Sequence, residues 1–299
     1  MVLIRHIKHF LILIRWFHAL LGLLPFIALF LVIQHQSADA NLPNLSVSEF
    51  VILCLGVELL MITGFILNDI VDRRIDQINK PNKHIVGRVI SIKNAWLLFV
   101  FFTITLLILS VYVSTTYFPE WAIISPIIYL ASIAYDLYLK RSPMFGNIAM
   151  AFITAGIPLV ITLYAQYNIQ ELNSERLYVL IATYTLLPFM IIIPRELSLD
   201  ISDMEGDLKD GCNTLPILIG EKKSKQVVQL LLTITLMTSI LVMTLFPYMI
   251  YALLPLDMII LIYMIKLRNT KQRKDYIKLG RFLWIGMIMA LILTTIVCF

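Results

Sequence analysis

Long apolar runs, rather than an alternating or heptad pattern, dominate the chain. Nine are separable, at 10–34, 48–69, 94–114, 119–139, 145–166, 176–197, 226–246, 248–266 and 280–298. Each approaches the roughly 20 residues that carry a helix across the hydrocarbon layer. Only a tight connection near Phe246-Pro247-Tyr248 parts the seventh from the eighth. In lipid, backbone polar groups find no water, so a spanning segment closes its hydrogen bonds internally or within a barrel. The runs lack the strict alternation of barrel strands. The pattern therefore predicts an all-α polytopic membrane protein with nine transmembrane helices. The first run is too long for a signal-peptide core and no small-residue cleavage site closes it, so it reads as a retained span.

Composition supports this class. The 299 residues are 60% hydrophobic and only 14% charged, with mean hydropathy +0.87, whereas a soluble domain carries about a quarter charged residues. The charge is unevenly placed. Of 24 Lys and Arg residues, only Arg176 lies on the side holding the connections 35–47, 115–118, 167–175 and 247. The positive-inside rule puts the other side in the cytoplasm, with the N-terminus inside and the C-terminus outside. The net charge of +5 is a topology signal. There is no basic domain for a nucleic-acid partner. Cys54, Cys212 and Cys298 are scattered and form no metal or disulfide pattern. His6, His9, His18, His35 and His84 form no HExxH, and there is no GxGxxG or Walker loop. The basic run Lys271, Arg273, Lys274, Lys278 and Arg281 fixes topology and meets anionic headgroups.

The polar positions that break the pattern most informatively are two acidic clusters at the cytoplasmic ends of spans two and six. Asp69, Asp72 and Asp76 lie in one, Asp200, Asp203 and Asp207 in the other, each at i, i+3 and i+7 and offset by 131 residues. On a helix that spacing puts the carboxylates on one face. The offset suggests two four-helix pseudo-repeats plus a ninth helix, within one domain covering 1–299. Repeats in membrane proteins often build a site at their interface. Ionisable groups near hydrocarbon are costly and usually functional. Mg²⁺ prefers one or two carboxylates with phosphate oxygens and water, so the clusters, with Asn68 and Glu205 as further oxygen donors, suit Mg²⁺ ions bridging a diphosphate. A cation-coupled transporter is the rival reading, but it predicts carboxylates near the bilayer midplane. An ordinary solvated loop explains one cluster more easily than two that match.

Asn68-Asp69-Ile70-Val71-Asp72-Arg73-Arg74-Ile75-Asp76, followed by Asn79-Lys80-Pro81-Asn82-Lys83, resembles the first motif of the UbiA superfamily of intramembrane prenyltransferases. Asp203-Met204-Glu205-Gly206-Asp207, with Gly211 and Thr214-Leu215-Pro216, resembles the second, and Tyr135, Lys140-Arg141 and Gly146-Asn147 resemble the segment joining spans four and five. The resemblance implies Mg²⁺-dependent transfer of an isoprenyl group from its diphosphate to a membrane-associated, lipid-like acceptor. It implies that Asn68, Asp72 and Asp76 bind one Mg²⁺–diphosphate edge and Asp203 and Asp207 the other, with Asp69 and Asp200 next. Arg195-Glu196 and the residues around the second motif resemble the digeranylgeranylglyceryl phosphate synthases, which join a geranylgeranyl group to geranylgeranylglyceryl phosphate in ether-lipid synthesis. Prenylation of an aromatic quinone precursor is the alternative. Leu199, where the family usually has Lys, and His18, where it usually has Asn, depart from the pattern. In the internal alignment Leu199 faces Asn68, so the second site lacks one polar ligand.

Among supporting residues, Arg195 lies one turn before Asp200, and its guanidinium suits a phosphate. Lys140 and Arg141 read equally as topology anchors or as diphosphate ligands. Asp72, Asp203, Arg195 and Lys140 are the expected catalytic set, with Asn68, Lys140, Arg141, Arg195 and Tyr135 binding substrate. Tyr135 and Tyr138 are candidates to shield a carbocation. Glu58 and Asp257 lie mid-span without an obvious sequence partner.

Overall fold

The protein's computed structural model describes residues 9–39, 41–79, 84–169 and 174–298. Lys80, Pro81, Asn82 and Lys83 of the first motif's tail, and His6, lie outside them. Among the described residues, eight helices are long and apolar enough to cross a membrane, and a ninth, Trp121–Leu137, is shorter at 17 residues. The helices are α1 (Trp16–Asp39), α2 (Val47–Val71), α3 (Arg73–Asn79), α4 (Ile92–Thr116), α5 (Trp121–Leu137) and α6 (Phe145–Asn168). There follow α7 (Ser174–Ile181), a π-helical stretch Ala182–Leu186, α8 (Leu187–Lys209), short α9 (Leu215–Ile219), α10 (Glu221–Leu245), α11 (Ile250–Asn269) and α12 (Arg273–Cys298). Helix, not barrel, thus carries the apolar runs. The protein is an integral membrane protein.

Two boundaries differ from the hydropathy reading. The first span breaks at Ile14–Arg15, where Arg15 takes φ 48° and its carbonyl accepts from His18 and Ala19 to start α1. The sixth continues as helix through the acidic residues to Lys209, because charged residues that end an apolar run need not end a helix.

The chain divides into two compact units. The first comprises residues up to Phe26 with Leu45–Tyr138. Ser46 starts α2 by accepting from Glu49 N–H at 3.4 Å, and Ser91 starts α4 by accepting from Asn94 N–H at 3.2 Å, each satisfying a donor that the helix leaves open. Small residues set the helix contacts, as expected where lipid supplies no hydrophobic drive between helices. Gly56 admits the Trp121 ring, and the Trp121 indole donates to Ser110 at 3.2 Å. Gly64 lies against Ser132 Oγ, joining α2 to α5 one turn before the first acidic motif. After α3 the chain turns over Gly87, at φ 89°, and packs Ile85 and Val86 with Leu13, Ile66 and Ala95 beneath that motif.

The second unit comprises Ile27–Asn44 with Leu139–Phe299. Its core gathers Leu187, Ile191, Leu197 and Ile201 of α8 with Val228, Leu232, Ile260, Tyr263 and Leu283 from α10, α11 and α12. Pro194 inside α8 cannot donate to the carbonyl of Met190. That carbonyl accepts instead from Thr235 Oγ1 of α10 at 3.4 Å, a hydroxyl shared with Leu231. A residue that weakens the helix is thereby tied to its neighbour. Tyr263 donates to Ser198 Oγ at 2.6 Å, with both groups buried. Gly286 lies against Ile259 and brings α12 close to α11.

Candidate active site

The first motif closes α2. Asp72 caps that helix and α3 follows, yet Asp72 N–H donates to Asn68 and Asp76 N–H to Asp72, each at 2.8 Å. The hydrogen-bond ladder therefore runs through the joint, and the acidic residues keep their helical succession. Arg15 Nη2 donates to Asn68 Oδ1 at 3.1 Å and to Asp69 Oδ1 at 2.7 Å. Its guanidinium also lies 5.0 Å from the centroid of the Phe65 ring. The left-handed backbone of Arg15, costly for a residue with a Cβ, accompanies this reach. Asn68 Nδ2 donates to Asp72 Oδ2 at 3.1 Å and to Asp136 Oδ1 at 2.9 Å. Asp136 lies at the end of α5 and is 2% exposed.

In the second unit Asp200, Asp203 and Asp207 lie on one continuous helix, α8. Asp200 Oδ2 accepts from Asn147 Nδ2 of α6 at 2.7 Å, and Arg273 Nε, at the start of α12, donates to Asp203 Oδ1 at 2.6 Å. Leu199 packs against Gly280, so it gives the motif no polar group. Asn147 supplies the amide that Leu199 lacks, from another helix. Its position depends on the turn before α6. Leu139–Arg141 form a 3-10 turn, Met144 takes φ 64°, and Gly146 lies against the backbone of Leu139 and Lys140.

The remaining candidates divide by their partners. Arg195 pairs with Glu196 and donates through Nε to the Gly280 carbonyl at 3.3 Å, so its side chain is directed to α12. Arg141 pairs with Asp210 at 3.2 Å, and its carbonyl accepts from Asn213 N–H at 2.8 Å, which anchors the end of α8. Lys140 is in the same turn and Tyr135 precedes Asp136 on α5. Glu205 pairs with Lys209 at 2.7 Å on an exposed face, away from a ligand role.

No three carboxylate, histidine or cysteine side chains among the described residues already converge to hold a metal. Mg²⁺ does not require such a cage, because it keeps waters and takes phosphate oxygens. The donors present are hard oxygens, and each cluster already attracts a cation. Arg15 lies on two oxygens of the first and Arg273 on one of the second. The donor chemistry fits Mg²⁺.

Sequence reasoning missed Asp136 and the pairing role of Arg273. Asp136 had a signal: a carboxylate inside an apolar run, a position that is functional by default. Arg273 had none, because nothing in a basic loop marks which residue meets Asp203.

Helices long and apolar enough to cross a membrane, two of them ending in acidic oxygen clusters, are the class of fold this chain builds. Residues 23–286 match the UbiA prenyltransferase family, and the chain belongs to that family. It is a prenyltransferase. It is 32% identical to the digeranylgeranylglyceryl phosphate synthase of Methanobrevibacter smithii over 80% of this chain and 83% of that one. It is 30% identical to the synthase of Thermococcus kodakarensis over 75% and 76%. Its fold is similar to a solved digeranylgeranylglyceryl phosphate synthase at TM-score 0.72 and 23% identity, covering 98% of each chain. It is also similar to a UbiA homologue from Archaeoglobus fulgidus bound to GPP and Mg²⁺, at TM-score 0.63 and 20% identity, covering 95% and 99%.

Proposed function

We propose that this protein transfers a geranylgeranyl group from its diphosphate to the hydroxyl of geranylgeranylglyceryl phosphate, with Mg²⁺, in ether-lipid synthesis. The reading is supported by the similarity to digeranylgeranylglyceryl phosphate synthases over three quarters or more of the chain. The single observation that carries the chemistry is the pair of acidic clusters, each with an arginine already on its oxygens. The family match runs through both compact units, and we read the chain as one catalytic domain.

Asn68, Asp69, Asp72 and Asp76 would hold one Mg²⁺, and Asp200, Asp203 and Asp207 another. The bound ions supply positive charge that stabilises the diphosphate as it leaves. The C1–O bond of the prenyl diphosphate breaks with its electron pair leaving on the diphosphate, the acceptor oxygen bonds to C1, and the hydroxyl proton passes to water. Arg195 would take a phosphate only by exchanging its present partners, Glu196 and the Gly280 carbonyl, for phosphate oxygens, two of which a guanidinium can bind at once. Arg141 is engaged with Asp210, so within its turn the phosphate-binding role goes first to Lys140. Tyr135 would line the path of the allylic carbon. Charge asymmetry in the loops supports a cytoplasmic site and N-terminus in the cell membrane.

Purified protein with Mg²⁺, labelled C10 to C20 prenyl diphosphates and a panel of acceptors tests the reading. The expected result is diphosphate release and a diether product with geranylgeranylglyceryl phosphate, lost in Asp72→Ala and in Asp203→Ala. Activity surviving both substitutions would sink the proposed site. A product with an aromatic acid and none with the glycerol phosphate would move the acceptor to a quinone precursor.

A further inference from the structure

We propose that Asp136 is a positioning residue that aims the carbonyl oxygen of Asn68 at the metal; this rests on the metal-binding reading of the first motif. A carboxamide has two N–H donors and one acceptor oxygen at opposite ends. Both donors of Asn68 go to carboxylates, Asp72 at 3.1 Å and Asp136 at 2.9 Å. Its oxygen points the other way, where the Arg15 guanidinium lies at 3.1 Å. Rotating the amide by half a turn would set its oxygen against two carboxylates and its NH₂ against a guanidinium. The surrounding charges therefore fix the orientation, which side-chain amides often leave open.

The two carboxylates differ in origin. Asp72 is one turn along the same chain segment and moves with Asn68. Asp136 comes from α5 and is 2% exposed, so it holds the amide against a separate helix. The helices are in register for this. Gly64 of α2 lies against Ser132 of α5, with an ideal Cβ only 2.7 Å from Ser132 Oγ. Asn68 and Asp136 are each four residues beyond that contact, one helical turn further toward the same end. Close packing at Gly64–Ser132 thus sets the spacing of the Asn68–Asp136 hydrogen bond. An amide whose N–H groups donate to anions carries more negative charge on its oxygen. Asp136 both aims that oxygen and makes it a better ligand, as outer partners of metal ligands do.

The test measures Mn²⁺ binding by the loss of its free-ion paramagnetic signal, on full-length protein in nanodiscs without prenyl substrate. Asp136→Leu removes the acceptor and is expected to weaken Mn²⁺ by about tenfold, the low end for lost outer partners. The Mg²⁺ concentration for half-maximal rate rises in parallel, while KM for prenyl diphosphate at saturating Mg²⁺ stays near wild type. Asp136→Asn keeps an oxygen for the amide and should bind Mn²⁺ within about threefold of wild type. Asn68→Leu alone should match the double variant Asn68→Leu/Asp136→Leu, since Asp136 acts through Asn68. If Asp136→Leu fails to fold, Asp136→Ser, too short to reach the amide, takes its place with the same expectation. Wild-type Mn²⁺ affinity in the acceptor-deleted variant, while Asn68→Leu loses it, overturns the positioning role and leaves the proposed function standing. Equal losses in Asp136→Asn and Asp136→Leu also overturn it, because charge rather than aim would be responsible. Wild-type affinity in both Asn68→Leu and Asp72→Ala overturns the metal reading itself.

Discussion

Gly146→Ala should damage the second acidic cluster, although the residue carries no chemistry. A Cβ added there would lie 2.8 Å from Lys140 Cα and 2.9 Å from the Leu139 carbonyl oxygen, both backbone atoms. Carbon–carbon contact is comfortable near 3.5 Å, so α6 and the Leu139–Arg141 turn must part by about 0.7 Å. The next residue, Asn147, donates to Asp200 at 2.7 Å, and the same displacement would stretch this bond beyond about 3.2 Å, outside the usual range. Overpacking costs about 1–3 kcal/mol, and a weakened hydrogen bond to a charged group adds up to about 1.5–3 kcal/mol. Gly156 provides the control in the same helix, because its added Cβ meets nothing within 4 Å. Gly156→Ala should be neutral or stabilising by up to about 1 kcal/mol from helix propensity. Thermal unfolding in nanodiscs and the Mg²⁺ dependence of prenyl transfer measure both variants. Gly146→Ala should lower Tm and raise the Mg²⁺ requirement about tenfold or more. Gly146→Ala and Gly156→Ala behaving alike would refute the argument that close approach at Gly146 sets Asn147.

Glu58 lies in a cleft of about 530 Å³ lined by Leu55, Leu59, Ile62, Thr105, Ile108, Leu109 and Tyr112, and its Oε1 has no hydrogen-bond partner among the described residues. Glu58→Leu should therefore raise stability by about 1–2 kcal/mol and leave prenyl transfer intact; a lower Tm in nanodiscs, or lost turnover, would contradict this. Tyr263→Phe removes the buried 2.6 Å bond to Ser198 and should cost about 1 kcal/mol, read as a fall in Tm without a change in Mg²⁺ dependence. Arg273 and Asp203 are paired at 2.6 Å with side chains 43% and 36% exposed, so Arg273→Ala should cost at most about 1 kcal/mol of stability. It should tighten Mn²⁺ binding about fivefold, the effect of removing one competing charge at high dielectric; unchanged or weaker binding would count against competition at Asp203.

Hydropathy made the membrane architecture legible because lipid imposes length and backbone satisfaction on every span, whatever the sequence detail. The same reasoning failed where a tertiary contact decides. The first span breaks before Trp16, where Arg15 turns to Asn68 and Asp69, a pairing between residues 53 and 54 positions apart. The sixth span runs on to Lys209 because its acidic residues are helical, and a hydropathy scale scores polarity rather than backbone form. For the site, spacing showed which carboxylates share a helix face, and the 131-residue offset matched the two motifs. It could not show what holds each motif. In the first, an amide on the motif's own helix is fixed by a carboxylate from α5; in the second, an amide from α6 fixes a carboxylate on the motif's helix. Donor and acceptor are exchanged between the two halves, so an internal alignment pairs Asn68 with Leu199 and finds a loss. The interaction lost along the sequence is restored in space by Asn147. Substituting Leu199 by Asn should then add little to metal binding, because Leu199 packs against Gly280 and Asp200 already has its amide.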